Sequence, residues 1–174
     1  MLLAAYCLAS SIASGDSNHP HVAIYGATPA GCAAAVAAAR QNASVALIEP
    51  SMRVGGLTAG GLGHTDLGMG GRELGGITRE FYARVSGFYR SEDKKNRSGT
   101  YCYQVEPHVA VAVYEKMLSE ANVSLLLGHQ LISAHKKSID PTALESLSLR
   151  DFRESRNITA SVFVDASYLS LIHI

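Results

Sequence analysis

Apolar residues in this chain fall into short solid blocks bounded by glycine, and into longer stretches where they recur at helical spacing. HVAIYGA (21–27) is a partly β-branched run closed by glycine and predicts a buried strand. Thr28-Pro29 supplies an N-cap followed by proline at the first helical position. AGCAAAVAAARQ then predicts a helix that ends at Asn42, a residue tolerated in the left-handed conformation that closes helices. SVALIE (44–49) predicts a second strand, so the opening is a βαβ unit with parallel strands and a right-handed crossover. Residues 55–76 hold ten of the sixteen glycines and predict a loop whose backbone approaches something closely or takes positive φ. ELGGITREFYARVSGFY (73–89) and EPHVAVAVYEKMLSEA (106–121) predict helices, separated by the solvated segment SEDKKNRSG (91–99). VSLLL (123–127) and QLISAHKK (130–137) predict strands, residues 138–156 carry no clear pattern, and ITASVFVDAS (158–167) predicts a sheet-centre strand. The fold expected is α/β: a Rossmann-type FAD/NAD(P)-binding domain with a parallel sheet, the alanine-rich helix beneath it, and a small antiparallel insert around 130–160.

Composition narrows the partners. The chain has 174 residues, 47% hydrophobic and 17% charged, with 15 basic and 15 acidic side chains that cancel. One domain with a real core is expected. Without a basic stripe, nucleic acid and anionic membranes are poor candidate partners. The leader MLLAAYCLASSIASG is apolar, ends in small residues and is too short to span a bilayer, so residues 1–15 read as a signal peptide cut near Ala13 or Gly15. Four N-x-[ST] sequons, at Asn42, Asn96, Asn122 and Asn157, support a secretory-pathway lumen or secreted location. Three cysteines, one of them in the leader, do not make a disulfide scaffold, and Cys32 reads as a small buried apolar thiol. No metal site is expected.

The chemistry concentrates in Gly26-Ala27-Thr28-Pro29-Ala30-Gly31, with Glu49 eighteen residues beyond Gly31. In a dinucleotide fold the first glycine permits the tight turn, the second admits the pyrophosphate and the third lets helix and strand pack. Thr28 stands at the second position, where its hydroxyl could cap the helix or donate to a phosphate oxygen. The helix N-terminus offers N–H groups and partial positive charge to the pyrophosphate. Glu49, at the end of the second strand, suits the adenosine ribose hydroxyls and would repel the 2′-phosphate of NADP. Gly55-Gly56 shortly afterwards would let an extended cofactor run under the backbone toward a flavin, which favours FAD over NAD.

VAIYGATPAGCAAAVAAARQNASVALIEPSMRVGGLTAGGLGHTD resembles the opening of the FAD-dependent oxidoreductase family related to the fumarate reductase and glutathione reductase flavoproteins. REFY, VEPHVAVAVYEKML and VFVDASY resemble its later markers, and the likeness spans roughly residues 21–168. It implies FAD held by Gly26, Thr28, Pro29, Ala30 and Gly31 at the pyrophosphate and by Glu49 at the ribose. It further implies Gly55, Gly56 and Leu57 near pyrophosphate and flavin, a strand backbone near Leu131 pairing with adenine, and Ala166 after another cofactor-lining strand. Asn42 stands where that family prefers glycine. The family continues into a substrate domain, whereas this chain ends in LSLIHI, which matches a translated sequencing-library adapter. The domain is therefore expected at residues 20–168, incomplete, with a non-native read-through tail at 169–174. The expected activity is FAD-dependent oxidation or reduction of a small molecule. The rival readings are an NAD-binding dehydrogenase domain and a non-catalytic fragment that binds no cofactor. His64, beside Asp66 in the glycine-rich loop, is the candidate catalytic residue.

Overall fold

In this computed structural model the described residues are 18–63, 74–92 and 104–168. The leader, His64, Asp66, Asn96, Cys102 and the tail 169–174 lie outside them. Four parallel strands, β1 (Val22–Tyr25), β2 (Val45–Glu49), β3 (Ser124–Leu127) and β7 (Val162–Asp165), form one sheet in the order β3-β2-β1-β7. Three antiparallel strands, β4 (Gln130–Lys136), β5 (Leu144–Arg150) and β6 (Ser155–Thr159), form a second sheet in the order β4-β5-β6. The helices are α1 (Pro29–Arg40), the single turn α2 (Gly56–Ala59), α3 (Gly76–Glu92) and α4 (Pro107–Glu120). None of the described helices is long and apolar enough to cross a membrane. The α/β architecture with a parallel sheet and an antiparallel insert agrees with the expectation from sequence.

The solid apolar strands follow from burial on both faces. Successive side chains point to opposite sides of a strand. On the first strand Ile24 joins the core formed with α1, α3 and α4, while Ala23 and Tyr25 join the core under the insert. Leu47 and Ile48 divide the same way on β2. The result is three layers: helices, parallel sheet, antiparallel sheet. Small residues bring α1 close to the sheet, with Cys32, Ala35 and Val36 essentially inaccessible. Phe81 of α3 stacks on Tyr114 of α4 with ring centroids 4.3 Å apart, fixing the two long helices against each other.

Three expectations change. ITASVFVDAS is not one central strand. Its first residues finish β6 in the insert and its last form β7, an outer strand among the described residues. Alternation continues through Ala160-Ser161, so periodicity alone could not reveal that the chain passes there from one sheet to the other. The unpatterned stretch 138–156 contains β5, the middle strand of the insert. The glycine-rich loop is interrupted by α2 at Gly56–Ala59.

Candidate dinucleotide-binding site

The carboxyl ends of β1, β2, β3 and β7 share one edge of the parallel sheet, where open α/β sheets bind ligands. β1 leaves the sheet through Gly26 (φ 101°), whose N–H donates to Ile48 O at 2.7 Å. A Cβ on Gly26 would lie 2.7 Å from Ser167 N, so the turn passes under the backbone that follows β7. At Gly31 a Cβ would overlap the Gly26 carbonyl oxygen. That overlap is the physical demand behind the third glycine: α1 starts in direct contact with the turn that feeds it.

Thr28 is 5% exposed and its side chain is fully committed. Its hydroxyl accepts from Gly31 N–H at 3.1 Å and donates to Ala166 O at 2.7 Å. A hydroxyl carries one proton, so Thr28 caps the helix and anchors β7, and of its two expected roles only the cap is realised. Cys32 N–H goes to Thr28 O and Pro29 brings no donor. The amides of Thr28 and Ala30 remain without partners among the described residues, and Ala30 is exposed at the helix start. The N-terminus of this twelve-residue helix thus presents backbone donors and partial positive charge across a glycine cradle.

Glu49 is held rather than loose. Its Oε2 accepts from Ala27 N–H at 2.7 Å and its Oε1 from Ser51 N–H at 2.9 Å. Each carboxylate oxygen has a further lone pair to offer a hydroxyl donor. Gly55 N–H donates to Ala27 O at 2.7 Å, so the Gly55-Gly56 loop is bonded directly to the β1–α1 turn. Leu57 is exposed beside it, its N–H donating to Tyr168 Oη at 3.1 Å. Ala166 N–H donates to Tyr25 O at 2.8 Å, placing Ala166 against Thr28. Leu131 sits one layer away at the start of β4, and its N–H donates to Tyr25 Oη at 3.1 Å. Among the described candidates, Gly26, Thr28, Pro29, Ala30, Gly31, Glu49, Gly55, Gly56, Leu57 and Ala166 therefore gather on one edge. Leu131 reaches that edge only through Tyr25.

Two tyrosines had not been singled out from sequence. Tyr25 links β1 to the insert, and Tyr168 covers Gly56, where a Cβ would run into its hydroxyl. Strand periodicity marks Tyr25 only as core, and nothing local to VFVDASY announces the Tyr168 contact. Cys32 lies behind the turn with its thiol on Ala27 O at 3.5 Å, and burial pushes its pKa up to about 12. It is a packed, protonated thiol rather than a nucleophile.

A glycine turn, a capped helix N-terminus and an acid at the end of the second strand, on the carboxyl edge of a parallel sheet, define a Rossmann-type dinucleotide-binding domain. The chain belongs to the FAD dependent oxidoreductase family, whose model matches residues 21–173. No curated protein matches it in sequence. Solved structures share the fold. THI4 of Thermovibrio ammonificans has a TM-score of 0.59 at 20% identity, over 87% of this chain and 58% of that one. The myxobacterial chondrochloren halogenase CndH gives 0.63 at 15% identity, over 86% and 37%. The flavin-dependent brominase Bmp2 gives 0.61 at 16% identity, over 86% and 38%. The chain thus spans less than two thirds of the length of each.

Proposed function

We propose that this chain supplies the nucleotide-binding part of a secretory-pathway flavoprotein that oxidises or reduces a small molecule, within the fumarate reductase and glutathione reductase group of flavoproteins. The observation that carries the nucleotide reading is the coupling of Gly31, Thr28 and Glu49 around one turn. A helix start with no room for a Cβ at Gly31 and with the Thr28 and Ala30 amides unpaired among the described residues meets a carboxylate that accepts from Ala27 N–H. These groups fit an ADP moiety: Thr28 and Ala30 amides for the pyrophosphate, Glu49 for the ribose hydroxyls. Gly55, Gly56 and Leu57 would border the path toward the isoalloxazine. Bound FAD would supply the electron transfer, and the protein's task is to hold it and orient the substrate. The carboxylate at the ribose position disfavours a 2′-phosphate, as FAD requires. His64 remains the proposed catalytic residue on its place in the glycine-rich loop.

Glu49→Gln tests this reading. It should weaken FAD binding by on the order of 2–3 kcal/mol, the value of hydrogen bonds to a charged acceptor. The measurement is equilibrium titration with FAD, alongside thermal unfolding to verify the fold. Unchanged flavin affinity in a folded variant would remove Glu49 from the site.

A further inference from the structure

Tyr168 follows β7 and reaches over to the Gly55-Gly56 loop, where its hydroxyl accepts from Leu57 N–H at 3.1 Å. Its ring rests on the backbone of Gly56 (φ 48°), since a Cβ there would meet the Tyr168 hydroxyl and lie 2.9 Å from Cε2. The loop beneath it is fixed. Gly55 N–H is bonded to Ala27 O, and a Cβ on Gly55 would lie 2.9 Å from Cδ2 of the buried Tyr114 ring. The backbone leading to Tyr168 is fixed too, with Ala166 N–H on Tyr25 O and Ser167 N–H on Asp165 Oδ1 at 2.9 Å. The Tyr168 side chain itself is 57% exposed, and among the described residues its hydroxyl makes this single hydrogen bond. It is a light closure between two rigid walls, and rotation of one side chain opens it.

The strand order says which part of a dinucleotide meets it. β1 lies between β2 and β7, and a dinucleotide lies across such a switch point with one half on each side. Glu49, at the end of β2, suits the adenosine half. The other half then leaves the start of α1 on the β7 side, between the Gly55-Gly56 loop and residues 166–168, and the Tyr168 side chain spans that passage. We propose that Tyr168 is a latch on this passage, which opens for the flavin half of the cofactor and stays closed when ADP alone binds. The latch rests on the nucleotide reading above and adds to it a residue that tells the two halves apart. A ligand that needs a minor conformation loses affinity by the fraction of that conformation. One net hydrogen bond favours the closed form roughly fivefold, so FAD is held roughly fivefold more weakly than an open passage allows.

Calorimetric titration of the full chain with ADP and, separately, with FAD tests the latch. Tyr168→Phe keeps the ring and removes the hydroxyl, and it should bind FAD roughly threefold to fivefold more tightly than the parent. Tyr168→Ala, which also clears the ring from Gly56, should likewise gain FAD affinity. ADP affinity should stay within roughly twofold of the parent in both variants. The direction is diagnostic, because a tyrosine that merely supports the site loses affinity when it is replaced. Amide hydrogen exchange reads the same closure without ligand: Leu57 N–H should exchange roughly fivefold faster in Tyr168→Phe than in the parent. FAD affinity that is unchanged or lowered in both variants, with ADP still bound, overturns the latch and leaves the nucleotide site standing. Equal exchange of Leu57 N–H in parent and Tyr168→Phe overturns it as well. If the parent chain binds neither ADP nor FAD, latch and nucleotide site fall together.

Discussion

Gly31 shows how one residue fixes the geometry of the site. The Gly26 carbonyl oxygen occupies the place of its missing Cβ, and that oxygen belongs to the turn that presents the amides of Thr28 and Ala30. A methyl group there can fit only if α1 or the turn shifts. Gly31→Ala should therefore destabilise the domain by about 1–3 kcal/mol, the usual cost of overpacking, and more if the turn cannot move. Ala37→Ser, on the exposed side of the same helix, should stay within about 0.5 kcal/mol. Urea unfolding of both variants would check this. Equal stability of Gly31→Ala and its parent would show that the close approach is not structural. Glycine at this position was readable from the motif. The commitment of the Thr28 hydroxyl to Ala166 was not, because the two residues are distant in sequence and meet only when β7 pairs with β1.

Among elements, the helices are joined by charge as well as by their apolar faces. Glu80 of α3 accepts from Arg40 of α1 at 2.6 and 2.8 Å and from Arg84 at 2.7 and 3.0 Å, and Arg84 also pairs with Glu120 of α4 at 2.6 Å. Arg40 first, and Arg84 with it, hold the Glu80 carboxyl down at about 2. Because its folded pKa is depressed, the stabilisation is present above the ordinary carboxylate range and is lost as pH falls from about 4.5 toward 2. Partial exposure screens the pairs, so Glu80→Gln should cost on the order of 1 kcal/mol at pH 7. That difference from the parent should vanish near pH 2 and shrink in high salt. Denaturant unfolding across pH would read it, and a difference that persists unchanged at pH 2 would exclude the ion pairs as its source. Helical spacing shows which residues face the core, whereas a network of four charges drawn from three helices exists only once they pack.

At the scale of the molecule, the parallel sheet has two ends with different tasks. The candidate nucleotide site gathers at the carboxyl ends of the strands. Asn42 and Asn122 lie in exposed left-handed turns (φ 64° and 56°) just before β2 and β3, at the opposite end. The positive φ accounts for asparagine where the family prefers glycine at residue 42. Asn42 is exposed there, away from the carboxyl ends of the strands. If the chain enters the secretory pathway as proposed, a eukaryotic host should release it without its leader and with glycan on at least one sequon. Glycans on Asn42 and Asn122 should leave ADP binding intact. Peptide mass spectrometry that finds Met1 retained and every sequon bare would overturn the proposed location.

The sequence by itself determined the βαβ opening, the capped alanine helix and the placing of Gly26, Gly31 and Glu49. Each of these depends on residues close together in the chain: a glycine turn, a cap–proline pair, an acid closing a short strand. Only the tertiary structure decided which sheet received each late strand, because alternation at period two is the same on both sheets and runs unbroken through Ala160-Ser161. It also decided that Tyr25 reaches Leu131, that Tyr168 lies over Gly56, and that Met52 and Phe152 converge on Gly128. Those contacts join residues up to a hundred or more positions apart, and no local spacing encodes them. The contact of Tyr25 with Leu131 arises because Ala23, Tyr25 and Ile48 must bury the face of the parallel sheet that the helices leave uncovered, and the insert is what covers it.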